Sequence, residues 1–160
     1  AKQAVEFLKE VDAINLRARQ RIIELVRRDL SEDLVGKKVA ILGAAFKPDS
    51  DDVRDSPALD IAAQIQAAGA IVTVHDPKAI ANAQKRFPAL KFAEDINNTL
   101  KDADIVLHLT EWKIYRDINP GQVKSLVKTA IMIDGRNALD RDAWRAAGWK
   151  FRALGRSDNE

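Results

Sequence analysis

Val39-Ala40-Ile41-Leu42-Gly43 decides the fold. Four apolar residues in a row, stopped by glycine, show no polar alternation. Such a strand is buried on both faces, as in a parallel sheet layered between helices. Ser56-Pro57 then marks a helix start, with Ser as N-cap and Pro at the first helical position. Leu59, Ala62, Ile65 and Ala68 line that helix, and Gly69 caps its end. The alternation continues. Strand Ile71-Val72-Thr73-Val74-His75 stops at Asp76-Pro77, and a short helix over roughly 78 to 86 ends before Pro88. A helix of about 94 to 101 leads to strand Ile105-Val106-Leu107-His108-Leu109. Asn119-Pro120 repeats the cap signature before a helix to about Lys128. Strand Ile131-Met132-Ile133 ends at Asp134-Gly135, a helix of about 140 to 147 closes at Gly148, and Trp149 to Ala153 is the final strand. Five strands separated by helices predict an α/β, Rossmann-like parallel sheet with helices on both faces.

Upstream, the first thirty residues contain no Gly and no Pro. Phe7, Val11, Ile14, Ala18, Ile22, Val26 and Leu30 follow the period of one helix face. A helix from about residue 3 to 30 is roughly 42 Å long at ~1.5 Å per residue, more than one small domain covers. Part of its stripe is therefore expected to meet another subunit or a further domain. Residues 1–30 are read as this helix and 31–160 as the α/β domain.

Composition excludes whole classes of function. The 160 residues hold no cysteine, which removes disulfides, thiolate metal sites and a thiol nucleophile. Two histidines leave little for a metal cluster or an imidazole base, and a net charge of +2 does not suit a bulk nucleic-acid binder. The apolar runs are too short to span a membrane, and the charged start is no signal peptide. A cytoplasmic domain is expected.

Ligands of an open parallel sheet bind outside the carboxyl ends of its strands. Three such ends are rich in polar residues: 43–55, Thr110-Glu111-Trp112 and Asp134-Gly135-Arg136-Asn137. The first lacks the further glycines of a dinucleotide fingerprint. Its four aspartates outnumber Lys47 and Arg54, so an anion would need those two side chains aimed individually. On spacing alone, a solvated acidic turn with a helix cap is the preferred reading. His75 reads as a turn histidine, and His108 as a hydrogen-bonded interior one. Asp76 ends a strand as a ribose-binding acid does, but no glycine fingerprint precedes it. Trp144 and Trp149 read as packing, and Trp112 either walls a site or anchors its loop.

The segment from Val39 to Leu59, with Gly43-Ala44-Ala45-Phe46-Lys47-Pro48, Asp51-Asp52-Val53-Arg54 and Ser56-Pro57, resembles the C-terminal UDP-binding domain of the UDP-glucose/GDP-mannose dehydrogenase family. Thr110-Glu111-Trp112 and Asp134-Gly135-Arg136-Asn137 resemble its UDP-glucose branch. Residues 1 to 30, with Asn15 and Gln20, are similar to the helix that joins the family's two domains and carries its dimer contacts. Ala44 departs from the Leu common there, which alters packing rather than polar chemistry.

The resemblance implies oxidation of the C6 alcohol of UDP-glucose to a carboxylate with two NAD. It further implies a homodimer and an N-terminal NAD-binding domain carrying a catalytic cysteine. Neither a cysteine nor a glycine fingerprint is present, so a fragment inactive alone is expected, with no catalytic residue and no metal. By match to the motif, Phe46, Lys47 and Arg136 would contact the UDP-sugar and Arg54 would reach NAD, with Asp51 and Asp52 holding the loop. GDP-mannose and UDP-N-acetylmannosamine dehydrogenases stay open within the family. From another class, a receiver-like interaction module would use Asp76 or Asp134 as phosphoacceptor.

Overall fold

The computed structural model describes residues 1–155; residues 156–160 and the side chains of the stripe positions Val11 and Ile14 lie outside the described residues. The elements are α1 (Lys2–Asp29), β1 (Lys38–Leu42), α2 (Pro57–Ala67), β2 (Ile71–His75), α3 (Ile80–Arg86), β3 (Lys91–Phe92) and α4 (Ile96–Leu100). They continue with β4 (Ile105–His108), α5 (Lys113–Arg116), α6 (Pro120–Val123), a 3-10 turn (Lys124–Leu126), β5 (Ile131–Asp134), α7 (Arg141–Ala146) and β6 (Lys150–Ala153). All strands pair in parallel, in the order β3-β2-β1-β4-β5-β6. That is the doubly wound dinucleotide-fold order, and its direction reverses between β1 and β4. Every residue of β4 and β5 is buried. Since successive side chains point to opposite faces, both faces of the sheet are covered.

Two expectations are corrected. Among the described residues the sheet has six strands, because Lys91–Phe92 pairs with Thr73 and Val74; two residues are too few to show a pattern. The helix expected from Pro120 to Lys128 is one turn followed by a 3-10 turn, and α5 was not foreseen. His75 ends β2, where the strand was expected to stop, and is buried.

The halves of α1 differ. Ile22, Ile23, Leu25 and Val26 lie in the same core as the sheet, while Val5, Phe7, Leu8 and Leu16 are exposed. Asp29 accepts from Lys150 and Arg152 on β6, and Arg19 pairs with Asp60 on α2. Each fully buried aliphatic side chain contributes about 1.5–3 kcal/mol, so the second half of α1 is fastened to the sheet mainly by burial. Among the described residues, no helix is long and apolar enough to cross a membrane.

Candidate functional site

The turns after β1, β4 and β5 all leave the carboxyl edge of the sheet, on either side of the point where strand order reverses. Gly43 opens the first turn with φ 112°, and an added Cβ there would lie 2.5 Å from the Cβ of Thr110. Only glycine lets the β1 and β4 turns pass this closely. The sheet's own bonding stops at Gly43, whose N–H donates to the His75 carbonyl.

Beyond that point side chains hold the backbone. Asp76 Oδ2 accepts from the N–H groups of Ala44 (2.8 Å) and Ala45 (2.9 Å) and from the Trp112 indole (3.2 Å). Its Oδ1 accepts from Lys78 and Ala79 N–H. Ser56 Oγ donates to the Ala44 carbonyl and accepts from Leu59 N–H as N-cap, and Thr110 Oγ1 donates to the Ala45 carbonyl. Trp112 is thus a buried anchor of its loop, not a wall.

The next residues, Phe46 and Lys47, are exposed, with the Phe46 N–H bonded to the Asp52 carbonyl. Among the described residues Lys47 has no ion pair or hydrogen bond. Arg54 is already engaged: its Nε and Nη2 donate to the Asp52 carboxylate at 3.1 and 2.9 Å, and its backbone N–H donates to the same group. The Arg54 hydrogen bonds draw the Asp52 carboxyl down to about 2.

At the β5 edge Asp134 organises the turn. Its Oδ1 accepts from His108 Nδ1 (2.8 Å) and Arg136 N–H, and its Oδ2 from the N–H groups of Ala138 and Leu139. His108 is fully buried, and its Nε2 has no hydrogen-bond partner among the described residues. Gly135 is small by need as well, since a Cβ would meet Ile22 and Leu109 at 2.9 Å. Arg136 Nε donates to Glu111, which joins the β4 and β5 turns directly.

The structure therefore brings Arg136 onto Glu111 and Arg54 onto Asp52, and sets Phe46 and Lys47 at the same sheet edge, where the Phe46 N–H is bonded to the Asp52 carbonyl. Among the described residues no bond joins the Arg136–Glu111 pair to Lys47 or to the Arg54–Asp52 pair. An open cleft of about 650 Å³ beside Asp76 is lined by Lys78, Gln84, Phe92 and Glu94, and includes neither Lys47 nor Arg136. Asp76 holds backbone rather than a ribose. Its donors on the first turn lie 31 and 32 residues away, so spacing could not reveal them; the only local signal was an Asp-Pro directly after a strand. The strand order also differs from the 2-1-3-4-5 of receiver domains. Both aspartates that such a module could phosphorylate are buried, with their oxygens occupied.

Comparison with known proteins decides the family. The family model for the UDP binding domain of the UDP-glucose/GDP-mannose dehydrogenase family matches residues 40–141, most of the chain. The chain belongs to that family. It is 34% identical over 96% of its length to UDP-glucose 6-dehydrogenase of Rhizobium meliloti, covering 35% of that protein. Against UDP-glucose 6-dehydrogenase TuaD of Bacillus subtilis it is 33% identical over 98% of its length, covering 34%. A UDP-glucose dehydrogenase structure from the archaeon Pyrobaculum islandicum superposes with TM-score 0.79 at 27% identity, over 93% of this chain and 32% of that one. The chain thus spans about a third of the length of these relatives.

Proposed function

We propose that this chain is the UDP-sugar-binding part of an NAD-dependent UDP-glucose 6-dehydrogenase, which oxidises UDP-glucose at C6 to UDP-glucuronate in two steps. One observation carries the reading: the family match spans the turns bearing Phe46, Lys47, Arg54 and Arg136, and the sheet delivers all of these turns to one edge. Lys47, unpaired and exposed among the described residues, offers a mobile ammonium to the diphosphate. Arg136 offers a planar fork of donors, oriented by Glu111. Phe46 presents an exposed ring beside them. Arg54, held by Asp52, is assigned to NAD, which when bound accepts hydride from the sugar alcohol. These residues include no cysteine, so the thiol and most of the nicotinamide site are assigned to the two thirds of the relatives' length not spanned here. A cytoplasmic homodimer goes with this reading, with the exposed Val5, Phe7, Leu8 and Leu16 of α1 as the dimer stripe.

Two or three charge-assisted hydrogen bonds at ~1.5–3 kcal/mol each give roughly 4–8 kcal/mol gross before the cost of association, so UDP-glucose should bind no better than about high micromolar to millimolar. Titration of the ¹⁵N-labelled chain should move the amides of Phe46, Lys47 and Arg136 first, and Lys47→Ala should weaken binding by about tenfold. An unmoved spectrum at millimolar UDP would sink the reading, and tighter binding of GDP-mannose would change the nucleotide.

A further inference from the structure

We infer that Asp76 is a positioning residue that ties the Phe46–Lys47 turn to the Glu111–Trp112 turn, so that side chains from both face one ligand; this rests on the nucleotide-binding reading above. The observation is how completely two residues are held. Ala44 and Ala45 give both N–H groups to Asp76, and their carbonyls accept from Ser56 and Thr110. Four bonds from three separate segments therefore fix the two residues directly before Phe46. The same Asp76 oxygen takes the Trp112 indole N–H, one residue beyond Glu111, whose carboxylate orients Arg136. A single buried carboxylate thus sets the spacing between the unpaired ammonium of one turn and the guanidinium held by the other.

The chemistry also says why a carboxylate is needed. Five N–H donors converge on two oxygens, three on one and two on the other. An ionised carboxylate accepts at every one of these sites. An asparagine in either orientation turns its own NH2 against at least two donors. With every donor inside the fold, Asp76 has no acceptor capacity left for substrate, so its effect on a ligand must pass through the loops that it holds.

Two substitutions in the 160-residue chain test this. Trp112→Phe keeps an aromatic ring in the buried site and removes only the indole donor, while Asp76→Asn removes acceptor capacity for both turns. Each is read by amide hydrogen exchange at residues 44–47 and by UDP titration of the folded protein. The expected result is faster exchange confined to that turn, with β4 and β5 amides unchanged. UDP affinity should fall about three- to tenfold for Trp112→Phe and more than tenfold for Asp76→Asn. Should Asp76→Asn fail to fold, Trp112→Phe carries the test alone. Folded variants with parental loop exchange and UDP affinity within twofold of the parent would overturn the assignment. So would a lowered melting temperature with unchanged affinity, since that is what a purely structural residue gives. If the parent chain binds no UDP, the functional reading fails separately, and the exchange data alone decide whether Asp76 holds the turn.

Discussion

At the end of β2, His75 and Asp76 are neighbours in sequence, but the imidazole turns to Tyr115 instead, with its Nδ1 2.7 Å from the phenol oxygen. At the ends of β4 and β5, His108 and Asp134 are 26 residues apart and bond directly across the sheet. Tyr115 stands between the pairs, its ring edge-on to both imidazoles at 5.5 and 5.7 Å. Asp76 gathers only neutral N–H donors, whereas Asp134 adds a histidine to three backbone groups. Burial pushes the His75 pKa below its ordinary 6.5, so the ring stays neutral. At Asp134 burial opposes ionisation, but the hydrogen bond and charge of His108, with Leu139 and Arg136 N–H, outweigh it and hold the carboxyl below its usual value. The same two residue types thus serve two turns by different means: the Lys47 turn hangs on neutral dipoles, the Arg136 turn on a side-chain pair.

The largest effect should come from breaking that pair. Asp134→Ala leaves the buried His108 and Leu139 N–H without an acceptor and takes the acceptor from the half-buried N–H bonds of Arg136 and Ala138. Removing one partner of such a buried pair costs about 3–5 kcal/mol, measurable as a shift in urea midpoint at unchanged slope. A double-mutant cycle with His108→Leu should return a coupling of about 1–3 kcal/mol. Strict additivity would erase the distinction between the two strand ends.

An intermediate effect is expected from pH. For His75 the folded-state pKa is depressed, so its contribution is complete above 6.5 and is lost as pH falls below that value, where only the unfolded chain takes up the proton. The Asp134 contribution is present above the ordinary 3.8 and is lost as pH falls through its lower folded value. Stability should therefore decline in two separate windows, each with a slope of at most about 1.4 kcal/mol per pH unit for one proton. His75→Gln should flatten the upper window and spare the lower. A melting curve with one decline, or with both removed by that substitution, would mean that the pairs titrate as one unit.

The alternation of elements was legible because glycine, Ser-Pro and Asn-Pro punctuate it chemically. Lys91–Phe92 was not, since the sheet edge it joins exists only after β2 is in place. Lys47, Arg54 and Arg136 could be named as candidates from motifs, and the Asp52–Arg54 pair could be expected from their nearness in the chain. The partners of Asp76 could not. They come from three segments, and a carboxylate serving backbone looks in sequence like one serving a ligand. The same blindness covers His75, whose Tyr115 contact spans 40 residues, and Trp112, whose indole partner lies 36 residues back.

The smallest effect belongs to an exposed control, Asp52. Its carboxylate receives two guanidinium donors and one backbone N–H, against five donors at Asp76 and four at Asp134, and the Arg54 side chain is 80% exposed. Removal of the guanidinium by Arg54→Ala leaves the backbone bond in place. The Asp52 pKa should then climb from about 2 part of the way toward 3.8, read from the carboxyl ¹³C shift as pH is lowered. Because that pKa is depressed in the folded chain, whatever the pair adds to stability is present above 3.8 and disappears as pH falls through about 2. At neutral pH the melting temperature should stay where it was, because water screens an exposed pair and its side chains lose freedom in forming it. A drop approaching that of Asp134→Ala would show the Lys47 turn to be braced from its exposed side, and Asp76 would no longer be what holds it.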